Sequence, residues 1–126
     1  MKKQAICPKN GPETKGPYSP AMVYGDLVFV SGQGPVDPQT GKFINGDVVE
    51  QFRASVKNVE IILKASGSSL ANVLKVTLYL ADMNDFQKVN EVYREYFGPA
   101  FPARTTIQAG RLPFDIKVEV DVVAHR

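Results

Sequence analysis

Two charged side chains stand where chemistry can be built around them. Arg104 follows Phe101-Pro102-Ala103, a stiff approach, and opens an extended segment over residues 104–109. Its guanidinium offers paired N–H donors that match a carboxylate, and Thr106, two residues on, shares its side of a strand. Glu119 lies inside KVEVDVVA, residues 117–124, a valine-rich run in which a carboxylate is out of place by propensity. In an enclosed site such an acid holds a water and takes a proton from it. Each has an ordinary alternative. Arg104 can be a surface cation paired with a neighbouring acid, and Glu119 can belong to a solvated row with Lys117 and Asp121. Three polar residues join them as candidates. Tyr18 is placed by a rigid Gly16-Pro17 step, Ser31 sits at a strand end beside Gly32-Gln33, and Asn90 interrupts a helix one step off its apolar stripe.

The remaining inventory excludes several chemistries. The 126 residues include one cysteine, Cys7, and one histidine, His125, so neither an internal disulfide nor a Cys/His zinc site can be assembled. A Ser-His-Asp or Cys-His machine would have to use a penultimate histidine. Asp82, Asn84 and Asp85 lack calcium-loop spacing and read as helix caps. GQGPVDPQTG, residues 32–41, does not match a phosphate-binding loop. The net charge is +2, yet residues 1–15 carry four lysines against one glutamate, leaving a near-neutral body without a broad cationic face for nucleic acid. No apolar run approaches the roughly 20 residues that cross a bilayer, and the start has no apolar signal region. The expected setting is the cytoplasm, with no membrane partner.

These residues need elements to hold them. Residues 1–15 read as an extended arm before one domain that takes in the whole chain, 1–126. A strand is expected over 23–31, with Gly25-Asp26 able to split it, then a tight reversal at DPQTG and a short strand at Phe43-Ile44. Val48, Phe52, Val56, Val59 and Leu63 mark a helix that Asp47 caps and Gly67 ends. A strand follows over 73–81. A second helix with Phe86, Val89 and Tyr93 inward ends at Gly98-Pro99, and two strands close the chain. The order β-β-(β)-α-β-α-β-β is a two-layer α+β domain with two helices on one face of a mixed sheet. Two helices cover only one sheet face, so the other is expected to meet solvent or another subunit.

Three stretches, GPYSPAMVYGDLVFVSGQGPVDPQTG (16–41), DFQKVNEVYREYF (85–97) and FPARTTIQAGRLPFDIKVEV (101–120), together resemble the Rid/YjgF family of reactive-intermediate (imine/enamine) deaminases. The resemblance implies a chorismate-mutase-like fold and a homotrimer with clefts between subunits. It implies hydrolysis of 2-imino acids, such as 2-iminobutanoate and 2-iminopropanoate, to 2-oxo acids and ammonia without a cofactor. Residue by residue, Arg104 matches the carboxylate-binding arginine and Glu119 the acid that directs water. Tyr18, Ser31 and Asn90 match positions around the cleft. Thr106 falls where many members carry cysteine, Pro20 where glutamine is frequent and Phe114 where lysine is frequent. The partners implied are a small 2-imino acid and two further copies of the chain. A non-catalytic 2-oxo acid sensor, or a translation inhibitor acting on RNA, are the rival functions the family admits.

Overall fold

The computed structural model describes all residues, Met1–Arg126. Strands β1 (Gln4–Ile6), β2 (Ala21–Tyr24) and β3 (Leu27–Gln33) are followed by helix α1 (Val48–Ala65) and strand β4 (Val73–Leu80). Helix α2 (Phe86–Phe97), β5 (Ala103–Gln108) and β6 (Val118–His125) complete the chain. The six strands form one sheet in the order β1-β2-β3-β6-β4-β5. Only β4 and β5 run parallel, with α2 as their crossover. The two-layer α+β expectation therefore holds, with both helices on one face of a mixed sheet. No helix is long and apolar enough to cross a membrane.

Helix α1 forms where its caps and apolar spacing agree. Asp47 is extended at the N-cap, and its Oδ1 accepts from the Glu50 amide at 2.9 Å. At the other end Gly67 takes a left-handed φ of +81°. Its amide donates to the Lys64 carbonyl while the Ser68 amide reaches back to Leu63, a Schellman closure. Phe52, Val56, Val59 and Leu63 are fully buried against Val28, Val76, Val118 and Val120 of the sheet. Phe52 also meets Tyr93 and Tyr96 of α2 at ring separations of 6.2 and 6.1 Å.

Two buried amides tie this helix to the part of the sheet that carries polar residues. Gln51 donates to the Gly46 carbonyl and accepts from the Lys117 amide at 2.8 Å, fixing the chain two residues before Glu119. Asn58 donates to the carbonyls of Gly34 and Val36, holding the exit from β3. Lys117 thus precedes β6 instead of opening its outward row, because its amide is drawn towards α1. The arm is not wholly separate from the sheet either, since residues 4–6 pair with β2 as an edge strand. Phe43 forms an isolated bridge with Val36 in place of a strand.

The face opposite the helices carries Tyr24, Leu27, Phe29 and Ile107 in the open, with Phe29 at 45% and Ile107 at 43% exposure. Replacing the cap tests the local account of α1. Asp47→Ala is expected to lose about 1 kcal/mol, lowering Tm by roughly 3–5 °C in a calorimetric scan. An unchanged Tm would mean the Glu50 amide is equally well satisfied by water.

Candidate active site

The pleat decides where each candidate points. In β6, Val118, Val120 and Val122 are buried under the helices, so Glu119 and Asp121 project from the opposite face. In β5, Arg104 lies beside Val76 and Thr106 beside Leu78, two core residues of β4, so Arg104 and Thr106 face the helices. Cation and acid of one chain thus leave the sheet in opposite directions, into two separate clefts.

The Arg104 cleft lies between β5 and α2. It is lined by Asn90, Tyr93, Arg94, Phe101 and Pro102 and holds about 200 Å³. The guanidinium carbon stands 4.6 Å from the centre of the Tyr93 ring and 5.6 Å from that of Phe86. The ion pairs of the chain are Arg53–Glu95, Lys57–Glu60, Lys64–Glu60 and Arg111–Asp115, so Arg104 has no acid of its own. This removes the reading of Arg104 as a paired surface cation. Aromatic rings orient it and leave its N–H donors free for an anion. The Tyr93 hydroxyl and Thr106 Oγ1 are both buried without a hydrogen-bond partner. Burial pushes the Tyr93 hydroxyl up to about 12, the positive charge of Arg104 opposing the rise, so it stays a neutral group able to donate.

The Glu119 cleft is smaller, about 120 Å³. Tyr18, Lys15, Gly32, Phe43 and Phe114 are among the residues that line it. Register between β3 and β6 slips between Val30 and Gln33. At this bulge the Glu119 side chain lies across Gly32, where a Cβ would stand 2.9 Å from the carboxyl carbon. A side chain at residue 32 would displace the acid from this position, a signal the sequence carried only as a polar strand end. Ser31 does not line either cleft. Its hydroxyl donates to the Ser19 carbonyl at 2.6 Å and its amide to Pro20, fastening the loop that presents Tyr18. Burial, and then the charge of Asp121, hold the Glu119 carboxyl above the usual carboxylate range. Asp121 itself accepts from the Tyr79 hydroxyl at 2.8 Å. That bond, with burial behind it, pushes Tyr79 up to about 12.

The segment over the Glu119 cleft is strained. Phe114 and Asp115 adopt left-handed φ values of 60° and 55°, each costing on the order of 1 kcal/mol for such residues. A two-bond Arg111–Asp115 pair spans this turn. Phe114 rests on Phe43 at 4.7 Å, and the Lys15 ammonium lies 5.0 and 5.2 Å from the two ring centres. Phe114 is the unannounced member of the pair, since aspartate visits the left-handed region far more readily than phenylalanine.

A raised carboxyl carries a cost to the fold. The folded chain binds the Glu119 proton more tightly than the unfolded chain does, so stability falls as pH rises through the ordinary carboxylate range to the raised value. Glu119→Gln is therefore expected to raise Tm near neutral pH. The gain should vanish below roughly pH 4, where both states are protonated. Equal Tm values across that range, read by circular dichroism, would show an unperturbed acid.

Comparison with known proteins gives the family. The family model described as Endoribonuclease L-PSP matches residues 8–126. A RutC family protein of Pyrococcus horikoshii, PH0854, is 47% identical over 98% of this chain and 98% of its own length. Human 2-iminobutanoate/2-iminopropanoate deaminase is 40% identical over 97% of this chain and 89% of its own. Among solved structures, Escherichia coli TdcF with bound serine superposes with a TM-score of 0.92 at 40% identity, covering 98% of each chain. The chain belongs to the Endoribonuclease L-PSP family, the YjgF/Rid group that includes reactive-intermediate deaminases.

Proposed function

We propose that this protein hydrolyses 2-imino acids to 2-oxo acids and ammonia at a site that two neighbouring copies of a homotrimer build together. One copy supplies Arg104, Asn90 and Thr106; the next supplies Glu119 and Tyr18, the latter held by Ser31. The observation that carries the reading is an arginine with no acid of its own, stacked on Tyr93 and left free for an anion. Its complement is a half-buried acid on the other face of the same sheet. The open apolar positions on the helix-free face, Leu27, Phe29 and Ile107, support assembly through that face. The relatives at about 40% identity named as deaminases supply the reaction class.

The chemistry follows from these two groups. Arg104 takes the substrate carboxylate through two parallel hydrogen bonds and sets the C=N carbon in the shared cleft. A protonated imine is already an electrophile. Water adds its oxygen to that carbon while Glu119 accepts the water's proton, giving a carbinolamine. Glu119 then returns the proton to nitrogen. The C–N bond breaks, ammonia leaves, and the hydroxyl passes its proton to the freed Glu119 carboxylate as the carbonyl forms; that proton then leaves with ammonia as ammonium. An acid whose proton affinity lies above that of a free carboxylate suits both halves of the cycle.

Three results test this reading. Arg104→Lys should lose about 100-fold in kcat/KM for ammonia release, because lysine keeps the charge and loses the planar pair of donors. Glu119→Gln should still bind a 2-oxo acid in calorimetry while its turnover collapses. A variant that keeps most of its rate would remove the residue from the mechanism. A Glu119→Gln chain with no affinity for the oxo acid would make the acid structural. Light scattering should return three times the chain mass, and a monomer would contradict the shared site.

A further inference from the structure

Lys15 is the basic residue that lines the Glu119 cleft, and no acid holds it. Its ammonium stands instead over the rings of Phe43 and Phe114, 5.0 and 5.2 Å from their centres. Phe114 is 67% exposed at a φ of 60°, so burial of its ring is not what keeps the strained turn. What the turn achieves is to set that ring beside Phe43, under the ammonium.

The contact falls where the chain has no other polar tether. Residues 12–15 line the Glu119 cleft. Residues 12–17 make no ion pair, and their one hydrogen bond is local, from the Tyr18 amide to the Gly16 carbonyl at 2.9 Å. A Cβ at Gly16 would stand 3.2 Å from the Tyr18 ring, so that ring rests on the Gly16 backbone and moves with it. Beyond Tyr18 the chain is fastened again, by the Ser31 hydroxyl and amide on the carbonyls of Ser19 and Pro20. Tyr18 therefore sits between a hydrogen-bonded anchor on one side and Lys15 on the other.

We propose that Lys15 is a positioning residue, its ammonium holding the arm on the Phe43–Phe114 rings so that residues 12–18 stay along the Glu119 cleft with Tyr18 in place for the reaction. The link to catalysis rests on the deaminase reading; the clamp itself rests on the ring contacts. A guanidinium can make the same contact and a thioether cannot, so Lys15→Arg should preserve the clamp and Lys15→Met should release it.

NMR reads the clamp without any reaction. Backbone order parameters for residues 13–16 should be about 0.85 in wild type and Lys15→Arg, and fall below about 0.6 in Lys15→Met and Phe114→Leu. Rates are then measured as kcat/KM for ammonia release from an imine generated in place by an amino acid oxidase from alanine. Lys15→Met and Phe114→Leu should each lose about tenfold, Lys15→Arg should stay within about twofold of wild type, and the double variant should lose no more than either single one. Unchanged order parameters in Lys15→Met, losses that add in the double variant, or a loss that disappears in roughly 1 M salt would overturn the proposal, the last because the ammonium would then act as a distant attraction for the substrate. A loosened segment with an unchanged rate overturns the positioning role and leaves the deaminase reading standing. If no imine is hydrolysed, the deaminase reading alone ends, and about tenfold weaker binding of 2-oxobutanoate to Lys15→Met in calorimetry supports the clamp, equal binding overturning it.

Discussion

A pleated sheet sends successive side chains to opposite faces, and in this chain that alternation separates the cation from the acid. The buried row Val118, Val120 and Val122 commits Glu119 to the helix-free face. The parallel pairing of β5 with β4 commits Arg104 to the helix side beside Val76. Glu119 cannot change sides without turning the core row of β6 outward, and Arg104 cannot without a one-residue slip of β5 against β4. A site that uses both must therefore draw them from different copies. The reading of a shared cleft follows from register before it follows from any likeness to relatives.

The rest of the molecule holds the Arg104 and Glu119 clefts in place. Gln51 and Asn58 reach from the inner face of α1 to the backbone on either side of the Glu119 cleft, one before β6 and one after β3. Buried amides that satisfy backbone groups are stable only in one arrangement, which makes them good anchors. The bulge at Ser31-Gly32 makes room for the acid, and the Ser31 hydroxyl fastens the Tyr18 loop. On the other side the aromatic residues of α2 do the work of orientation, with Tyr93 under the guanidinium and Phe97 and Phe101 around Tyr93. Helix–helix packing through Phe52 thereby reaches Arg104 by way of Tyr93.

Much of this was legible from residue patterns. The period of α1, its Asp47 cap and its Gly67 stop located the helix to within a residue, because each is a local preference. The outward placement of Glu119 was legible from its valine neighbours. The side taken by Arg104 was not, because it depends on which strand pairs with β5. The edge strand at residues 4–6 is too short and too flanked by lysines to be read. Gly32 and Phe114 were opaque for another reason. Their surroundings come from groups distant in sequence, the Glu119 carboxyl over Gly32 and Phe43 with Lys15 against Phe114.

The claim that cation and acid come from different chains has a direct measurement. Arg104→Ala and Glu119→Gln chains, each inactive alone, are co-expressed with two affinity tags, and the mixed assemblies are assayed for imine hydrolysis. Every trimer that holds both kinds of chain has one cleft in three with an intact Arg104 from one copy and an intact Glu119 from the next, so activity should return to about a third of wild type. Mixed assemblies as inactive as their parents would show that both residues serve one chain, and would contradict the account.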